Sequence, residues 1–278
     1  MGRLTFVGLG LWDERDVSLR GLDAIREADA VFVEWYTAFL GGTTLERMSA
    51  FYGRPVRALT REETEKGDLV LAAAQGGNAA FLTAGDSMTA TTHAELRARA
   101  QALGIATEVV HGASIVTAAP GLLGIHNYKF GRATTIVFPE GSYFPTSPYD
   151  VVKANRERGL HTLCFLDLRA GGSLHENRPG TEAKSNAPPG APPGRYMTAS
   201  EGAALLLRME RERGEGVLSP ETLACGIARA GSSAPKVVAG PLAKLAEVDF
   251  GPPLHILVVP GSLHFSEEEA LKALAEWP

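Results

Sequence analysis

The sequence of 278 residues lacks the features that define several classes of protein. No apolar run approaches the roughly 20 residues that a membrane-spanning helix needs. The first residues show no signal peptide, with its apolar core and small-residue cleavage site. Acidic residues outnumber basic ones, and the formal charge is −5, whereas nucleic-acid-binding domains are usually basic. We therefore expect a cytoplasmic protein that binds neither membranes nor nucleic acids.

Cysteine is scarce: the two that are present, Cys164 and Cys225, lie in apolar runs. Without a secretory signal they are predicted to be buried thiols and not a disulfide. The seven histidines have no metal-ligand spacing such as His-x-x-x-His, and no Cys-x-x-Cys pair occurs, so we predict no metal site. The sequence also has neither a Walker A lysine loop nor a Gly-x-Ser-x-Gly elbow, which argues against phosphoryl transfer and serine hydrolysis.

Short apolar runs alternate with helical stretches along most of the chain, a pattern typical of parallel sheets with crossover helices. Two Thr-x-x-Glu sequences, at Thr60 and Thr198, predict capping boxes at helix N-termini. The predicted strands cover residues 4–8, 30–35, 56–59, 79–83, 107–110, 134–138, 162–168, 222–228 and 254–259. The pattern predicts an α/β protein.

The length favours about two domains, and we place them at residues 1–115 and 116–278, with the boundary near Pro120. Residues 171–195 interrupt the alternation with a stretch rich in proline. Proline fixes φ and removes a backbone donor, so helix and central strand are both excluded there. This stretch is predicted to be a mobile surface loop.

Glycines follow the first predicted strand, in the sequence Gly8-Leu9-Gly10. In a dinucleotide-binding fold such glycines allow a tight turn beside a pyrophosphate, which would suggest a nicotinamide oxidoreductase. That fingerprint needs a third glycine, and Asp13 stands in its place. The acidic loop that follows would also repel phosphate, so this function is disfavoured.

Two further loops follow predicted strands, where open parallel sheets bind ligands. The first begins Gly85-Asp86 and is rich in hydroxyl groups, and the second contains His111, Gly112 and Ser114. Glycine and other small residues permit close approach of a ligand, and a carboxylate accepts hydrogen bonds. Equally, Asp86 could do no more than cap the next helix, and position alone does not separate these interpretations.

Taken together, these stretches resemble the diphthine synthase family, a member of the tetrapyrrole methylase-like class of methyltransferases. The resemblance runs almost from end to end in an ordered series of motifs. The matching stretches are residues 6–16, 34–37, 42–45, 85–86, 90–97, 114–115, 128–131, 139–141, 144–147, 159–163, 228–232 and 253–257.

The resemblance implies two unlike α/β domains with S-adenosyl-L-methionine in a cleft between them, and a homodimer. It implies a substrate: a histidine of translation elongation factor 2 that carries a 3-amino-3-carboxypropyl group. The amino nitrogen would be methylated to give diphthine and S-adenosyl-L-homocysteine. By position in the family's motifs, the cofactor contacts fall on Leu11, Asp86, Thr89, Ser114, Ile115, Leu166, Ala230 and His255.

Methyl transfer needs no nucleophilic side chain and no metal, because the cofactor carries the leaving group. The incoming amine must be neutral, however, so its ammonium form must first lose a proton. Glu34, Tyr36 and Asp86 are the candidate residues for this proton transfer. The chain departs from the family at Ser87, where proline is usual, and this weakens the Thr89 assignment. Against the family, the proline-rich residues 171–195 also look like an insertion. The alternatives are a tetrapyrrole (precorrin-type) methyltransferase, which shares the fold class, and a non-catalytic binder of the elongation factor.

Overall fold

The computed structural model of the protein describes residues 2–170, 186–187 and 191–278. The chain forms two compact units, Met1–Ser114 with Arg169–Arg195, and Ile115–Leu168 with Tyr196–Pro278. Most of the predicted proline-rich loop, residues 171–185 and 188–190, lies outside the described residues. In the described part of the chain, no helix is long and apolar enough to cross a membrane.

The first unit contains a parallel five-stranded sheet with the order β3-β2-β4-β1-β5. Its strands are β1 (Arg3–Gly8), β2 (Ala30–Glu34), β3 (Val56–Leu59), β4 (Asn78–Thr83) and β5 (Ala106–Val110). Each predicted strand of this region is confirmed to within a residue at either end. The strand β1 lies inside the sheet, between β4 and β5, and its side chains are buried on both faces, as the run Leu-Thr-Phe-Val indicates.

Helices connect these strands, as the alternating pattern predicts. They are α1 (Leu19–Glu27), α2 (Leu45–Tyr52), α3 (Arg61–Lys66), α4 (Asp68–Gly76) and α5 (His93–Ala102). Thr60 and Glu63 form the predicted capping box at the start of α3. Gly67 adopts a left-handed φ of 68°, which ends α3 and separates it from α4.

The second unit contains another five-stranded sheet, with the order β11-β10-β12-β7-β6. Its strands are β6 (Thr134–Ile136), β7 (Thr162–Leu166), β10 (Leu223–Ala228), β11 (Lys236–Pro241) and β12 (His255–Val259). The strands β6 and β7 are parallel, and the other three pairs are antiparallel. The expected parallel sheet is therefore wrong here: residues 229–235 make a connection too short for a crossover and join β10 to β11 as a hairpin.

Helices of the second unit cover its sheet. They are α6 (Ile115–Leu123), α7 (Ser147–Glu157), α8 (Ala199–Arg213), α9 (Leu242–Leu245) and α10 (Phe265–Leu274), with a 3-10 turn at Asn127–Lys129. Two short strands, β8 (Leu168–Ala170) and β9 (Gly194–Tyr196), pair with each other. Cys164 and Cys225 are buried free thiols, as predicted, and burial raises the pKa of both.

Candidate functional site

Three loops of the first unit meet at the carboxyl edge of its sheet, because β1 lies between β4 and β5. The loop after β1 is joined to the loop after β4 by a pair of hydrogen bonds between Gly10 and Gly85. The Gly85 amide lies 2.6 Å from the Gly10 carbonyl oxygen, and the Gly10 amide lies 3.2 Å from the Gly85 carbonyl oxygen. Both residues have positive φ, 80° and 76°, a conformation that glycine adopts without strain.

The loop after β5 is packed equally tightly against the other two. A Cβ atom on Gly8 would lie 2.5 Å from the Gly112 nitrogen and 2.7 Å from the Gly85 carbonyl oxygen. Such a contact is with backbone and cannot be relieved by a side-chain rotation. The absence of a side chain at Gly8 therefore allows the loops after β4 and β5 to approach each other across the end of β1.

Asp86 fastens these loops together through four hydrogen bonds. Its Oδ1 accepts from the Met88 amide at 2.9 Å and from the Thr89 hydroxyl at 3.2 Å. Its Oδ2 accepts from Nδ1 of His111 at 2.7 Å and from the Gly112 amide at 3.3 Å. Asp86 is buried, with 8% of the residue exposed.

Burial by itself raises the pKa of Asp86, but the hydrogen bonds from Met88, His111 and Gly112 outweigh it and lower the pKa below its ordinary value. The carboxylate is therefore ionised at neutral pH. A fixed negative charge at this edge suits a cationic ligand. Asp86 does not cap the next helix, because its four donors all lie outside α5, and Thr92 at the N-terminus of α5 makes no side-chain capping bond either.

Glu34 and Tyr36, the candidate catalytic residues, lie at the end of β2 in the same unit. Oε1 of Glu34 accepts from the amide and the hydroxyl of Thr37, both at 2.7 Å, and from the Tyr36 amide at 3.3 Å. This carboxylate therefore stabilises the turn that follows β2, residues 35–37. Burial, followed by the nearby Glu34 charge, raises the pKa of Tyr36 to about 12, so its phenol keeps its proton at neutral pH.

His93 is buried below the Asp86 loop, where Nδ1 lies 3.0 Å from the Ser87 carbonyl oxygen and the ring contacts Phe81 edge-on. Burial lowers the pKa of His93, in spite of the Ser87 carbonyl and the Glu34 charge, which raise it. A neutral imidazole follows, with the proton on Nδ1 donated to the carbonyl. His93 thus supports a loop in which Ser87 replaces the stiffer proline.

Of the other residues that the family motifs predict, Leu11 and Ser114 also belong to loops of this edge. The Leu11 amide donates to Oδ2 of Asp16 at 3.1 Å, and Ser114 is buried just before α6. The acidic loop after Leu11 is held by its own ion pairs, Asp13 with Arg15 at 3.0 Å and Glu14 with Arg47 at 2.9 Å. The first unit therefore brings together Asp86 and Thr89 directly, and places Leu11 and Ser114 in neighbouring loops.

The second unit gathers Leu166, Ala230 and His255 at one edge of its own sheet. His255 pairs with Ala228 at the end of β10, and Ala230 follows that strand. The strands β12 and β7 are antiparallel, and Leu257 pairs with Cys164. Two residues further along the same register, Leu166 lies opposite His255. Ile115, the eighth predicted contact, begins α6.

The imidazole of His255 is held by the backbone at both ring nitrogens. Nδ1 accepts from the Ala199 amide at 3.2 Å, so the proton lies on Nε2, which donates to the Pro252 carbonyl oxygen at 2.9 Å. Burial is the main cause that lowers the pKa of His255. The ring is therefore neutral and fixed in orientation, and both of its nitrogens are already hydrogen-bonded to the backbone.

The motifs of the sequence point to these loops, but sequence reasoning missed one functional candidate, the side chain of His111. The signal available was its position directly after a strand, beside Gly112. No spacing rule links it to Asp86, which precedes it by 25 residues. In the described part of the chain, no group of three or more His, Cys, Asp or Glu residues is arranged to hold a metal ion.

Comparison with known proteins gives a consistent result. The family model of the tetrapyrrole (corrin/porphyrin) methylases matches residues 3–246. Diphthine synthase of Methanocella arvoryzae is 47% identical over 274 residues, covering 98% of each chain. The diphthine synthase of Methanospirillum hungatei is 48% identical over 273 residues, again covering 98% of each chain. A crystal structure of a diphthine synthase superposes with a TM-score of 0.83 at 38% identity, covering 99% of this chain and 97% of the other.

Proposed function

The chain belongs to the diphthine synthase family of the tetrapyrrole methylases and is a methyltransferase, and from this premise we propose the reaction, its cofactor and its substrate. The proposed methyl donor is S-adenosyl-L-methionine, with S-adenosyl-L-homocysteine as the product. The proposed acceptor is the amino group of a 3-amino-3-carboxypropyl-histidine in translation elongation factor 2, which becomes diphthine. The observation that carries this proposal is the identity of 47% with diphthine synthases over 98% of the chain.

The residues at the edge of the first sheet fit the proposed cofactor chemically. When bound, S-adenosyl-L-methionine supplies a methyl group on a positively charged sulfur. The buried carboxylate of Asp86, kept ionised by its hydrogen bonds, supplies a compensating negative charge. At Gly85 a Cβ atom would meet no other atom within 4 Å, so the turn beside Asp86 borders open space. Thr89 and Ser114 add hydroxyl groups.

We extend the proposed cofactor contacts over both units, as the family motifs place them. They are Leu11, Asp86, Thr89 and Ser114 in the first unit, and Ile115, Leu166, Ala230 and His255 in the second. Since the four hydrogen bonds to Asp86 occupy its lone pairs, its expected role is charge and loop organisation. Since both ring nitrogens of His255 are engaged, contact with a ligand would use the ring face or the backbone.

The remaining parts of the proposal concern partners and location. The elongation factor is the proposed protein partner, and the enzyme is proposed to be a cytoplasmic homodimer. The residues at the end of β2, Glu34 and Tyr36, stay candidates for the chemistry of the amine. Because the pKa of Tyr36 is raised to about 12, its phenol is protonated at neutral pH and is not available to accept a proton.

The family model, named for tetrapyrrole methylases, favours one second candidate, a precorrin-type methyltransferase. The test mixes the purified protein and methyl-labelled S-adenosyl-L-methionine with elongation factor 2 that carries the 3-amino-3-carboxypropyl group. The control is the same factor with an unmodified histidine. Label on the modified factor alone is expected. Bound cofactor with no label on either factor would contradict the proposal and favour the tetrapyrrole substrate.

A further inference from the structure

His111 and Asp86 form a dyad in which a buried carboxylate orients an accessible imidazole. The distance between Nδ1 of His111 and Oδ2 of Asp86 is 2.7 Å. The His111 side chain is 72% exposed, whereas that of Asp86 is 9% exposed. Many enzymes orient a proton-accepting histidine in this way: a carboxylate binds one ring nitrogen, and the other nitrogen faces the substrate.

The chemistry of Asp86 decides which nitrogen of His111 carries the proton. An ionised carboxylate only accepts hydrogen bonds, so Nδ1 must be the donor. The neutral ring then has its lone pair on Nε2, the atom that points away from Asp86. A free imidazole in water has both tautomers available, and here the contact with Asp86 selects one of them.

The orienting carboxylate is itself held in place. The Met88 amide and the Thr89 hydroxyl bind the oxygen that His111 does not use, and the Gly112 amide binds the other one. Gly112 is also the neighbour of His111 in the chain, so the carboxylate fixes the backbone and the side chain of this loop together. Asp86 is the carboxylate that pairs with the His111 ring.

We propose that Nε2 of His111 accepts the proton that the substrate ammonium group must lose before it is methylated. The inference rests on the proposed function, because it assigns a residue to the same reaction. A bond from nitrogen to hydrogen breaks in the substrate, and a bond from Nε2 to the same hydrogen forms, which turns the imidazole into an imidazolium ion. The substrate nitrogen keeps the electron pair that it needs to accept a methyl group.

The proton then has an exit, because the His111 ring is open to solvent and can pass the proton to water. The Asp86 carboxylate stabilises the imidazolium while it lasts, through the same hydrogen bond. The other candidates are less suited to this step. Glu34 has its Oε1 occupied by three donors, Tyr36 keeps its proton, and His93 is buried.

The first test uses His111→Asn, because the amide nitrogen of asparagine can replace Nδ1 as the donor to Asp86 but cannot accept a proton. The control is His126→Gln, which alters a histidine of the second unit whose Nδ1 contacts the Tyr128 hydroxyl. At neutral pH, kcat of His111→Asn is expected to fall by about 10²–10⁴-fold. Its affinity for S-adenosyl-L-methionine and its melting temperature should stay close to those of the wild type, as should all three properties of His126→Gln.

The pH profile separates proton transfer from a structural role. At high pH the substrate amine is already neutral, so the rates of His111→Asn and the wild type should converge. A purely structural defect would lower the rate by the same factor at every pH. Convergence supports the proposal, and an unchanged kcat at neutral pH or a loss that is constant with pH overturns it.

The second test needs no substrate and no cofactor. Nitrogen-15 NMR of the histidine-labelled, ligand-free protein should show His111 in the tautomer with its proton on Nδ1, and Asp86→Ala should abolish that preference. A proton on Nε2 in the wild type would overturn the dyad. Failure of the wild type to methylate modified elongation factor would instead contradict the proposed function, and the tautomer would show independently whether the dyad exists.

Discussion

Gly8 and Gly112 are in such close contact that a Cβ atom on Gly8 would lie 2.5 Å from the Gly112 nitrogen. Gly8 ends β1, and Gly112 follows β5, its neighbour in the sheet. This contact is what lets the loops after β4 and β5 meet over the end of β1, so that Asp86 reaches the Gly112 amide. The position of the Asp86 carboxylate, and with it the charge of the proposed site, therefore depends on the absence of a side chain at Gly8.

We predict that Gly8→Ala destabilises the protein by about 1–3 kcal/mol, because the new methyl group would overlap backbone that must shift. Displacement of the loops should also weaken binding of S-adenosyl-L-methionine. Thermal denaturation and calorimetry measure the two effects. The matched control is Gly76→Ala at the end of α4, where a Cβ atom meets nothing within 4 Å. Equal stability of the two variants would show that the contact can relax.

Asp86→Asn keeps the size of the side chain and removes its charge. Asparagine also places an NH2 group where two donors now bind a carboxylate oxygen, so the loop is disturbed as the compensating charge is lost. We expect the Kd for S-adenosyl-L-methionine to rise about tenfold to a hundredfold, a change of about 1.4–2.8 kcal/mol in the free energy of binding. Calorimetry measures this change. Asp68→Asn is the control, since Asp68 is 78% exposed and paired with Arg99. An unchanged Kd in Asp86→Asn would remove Asp86 from the proposed cofactor site.

Ser87 is fully buried, and its hydroxyl oxygen has no hydrogen-bond partner among the described residues. Ser87→Ala should therefore be neutral or stabilising by up to about 1 kcal/mol, because an unsatisfied polar atom leaves the interior. The same substitution at Ser18 should destabilise by about 1 kcal/mol, since Ser18 caps α1 by accepting from the Gly21 amide. Unfolding in urea should show a lower free energy of unfolding than the wild type for Ser18→Ala, and an unchanged or higher one for Ser87→Ala. A clear loss of stability in Ser87→Ala would contradict the assignment.

Glu267 is a buried carboxylate in the second unit that binds four donors. Its oxygens accept from the His126 and His264 amides, both at 2.8 Å, from Nε2 of His161 at 3.0 Å, and from Nζ of Lys129. Glu267→Gln should cost about 3–5 kcal/mol, because it leaves the Lys129 charge without its partner. Glu268→Gln is the control, since Glu268 is the exposed neighbour on the same helix turn. Similar melting temperatures for both variants would refute this prediction.

The same carboxylate predicts how stability depends on pH. Burial raises the pKa of Glu267, but the bonds from His264, Lys129, His126 and His161 lower it to about 2, against 4.5 for a free glutamate. The folded state therefore binds this proton less tightly than the unfolded state. The stabilisation, about 3 kcal/mol, is complete above pH 4.5 and is lost as the pH falls towards 2. Acid unfolding curves should show this loss in the wild type and not in Glu267→Gln.

Much of the first unit is predictable from sequence because its signals are local. Apolar runs locate the strands to within a residue at either end, and the Thr60 capping box locates the start of a helix; these predictions are confirmed. The ordered motifs predict the family, the α/β fold class and the methyltransferase activity, and the relatives confirm all three. The domain boundary and the individual cofactor contacts stay predictions.

The second unit is less predictable from sequence for a physical reason. Strand direction depends on how the chain connects the strands, and a buried strand has the same composition in parallel and antiparallel sheets. No strand is predicted at β11, where Gly240 and Pro241 end a short apolar run. No helix is predicted at α6, because Pro120 lies within it and suggests a boundary.

The sequence by itself determined the elements whose signals lie within a few residues of each other, and the family whose motifs it carries. Only the tertiary structure decided what meets at the proposed site. Asp86 and His111 follow strands that are not neighbours in the sheet, and their contact depends on β1 lying between those strands with Gly8 at its end. The order of the strands arises from long-range packing that no local pattern encodes. That order brings Asp86 to His111, and the contact sets the proton on Nδ1 of His111.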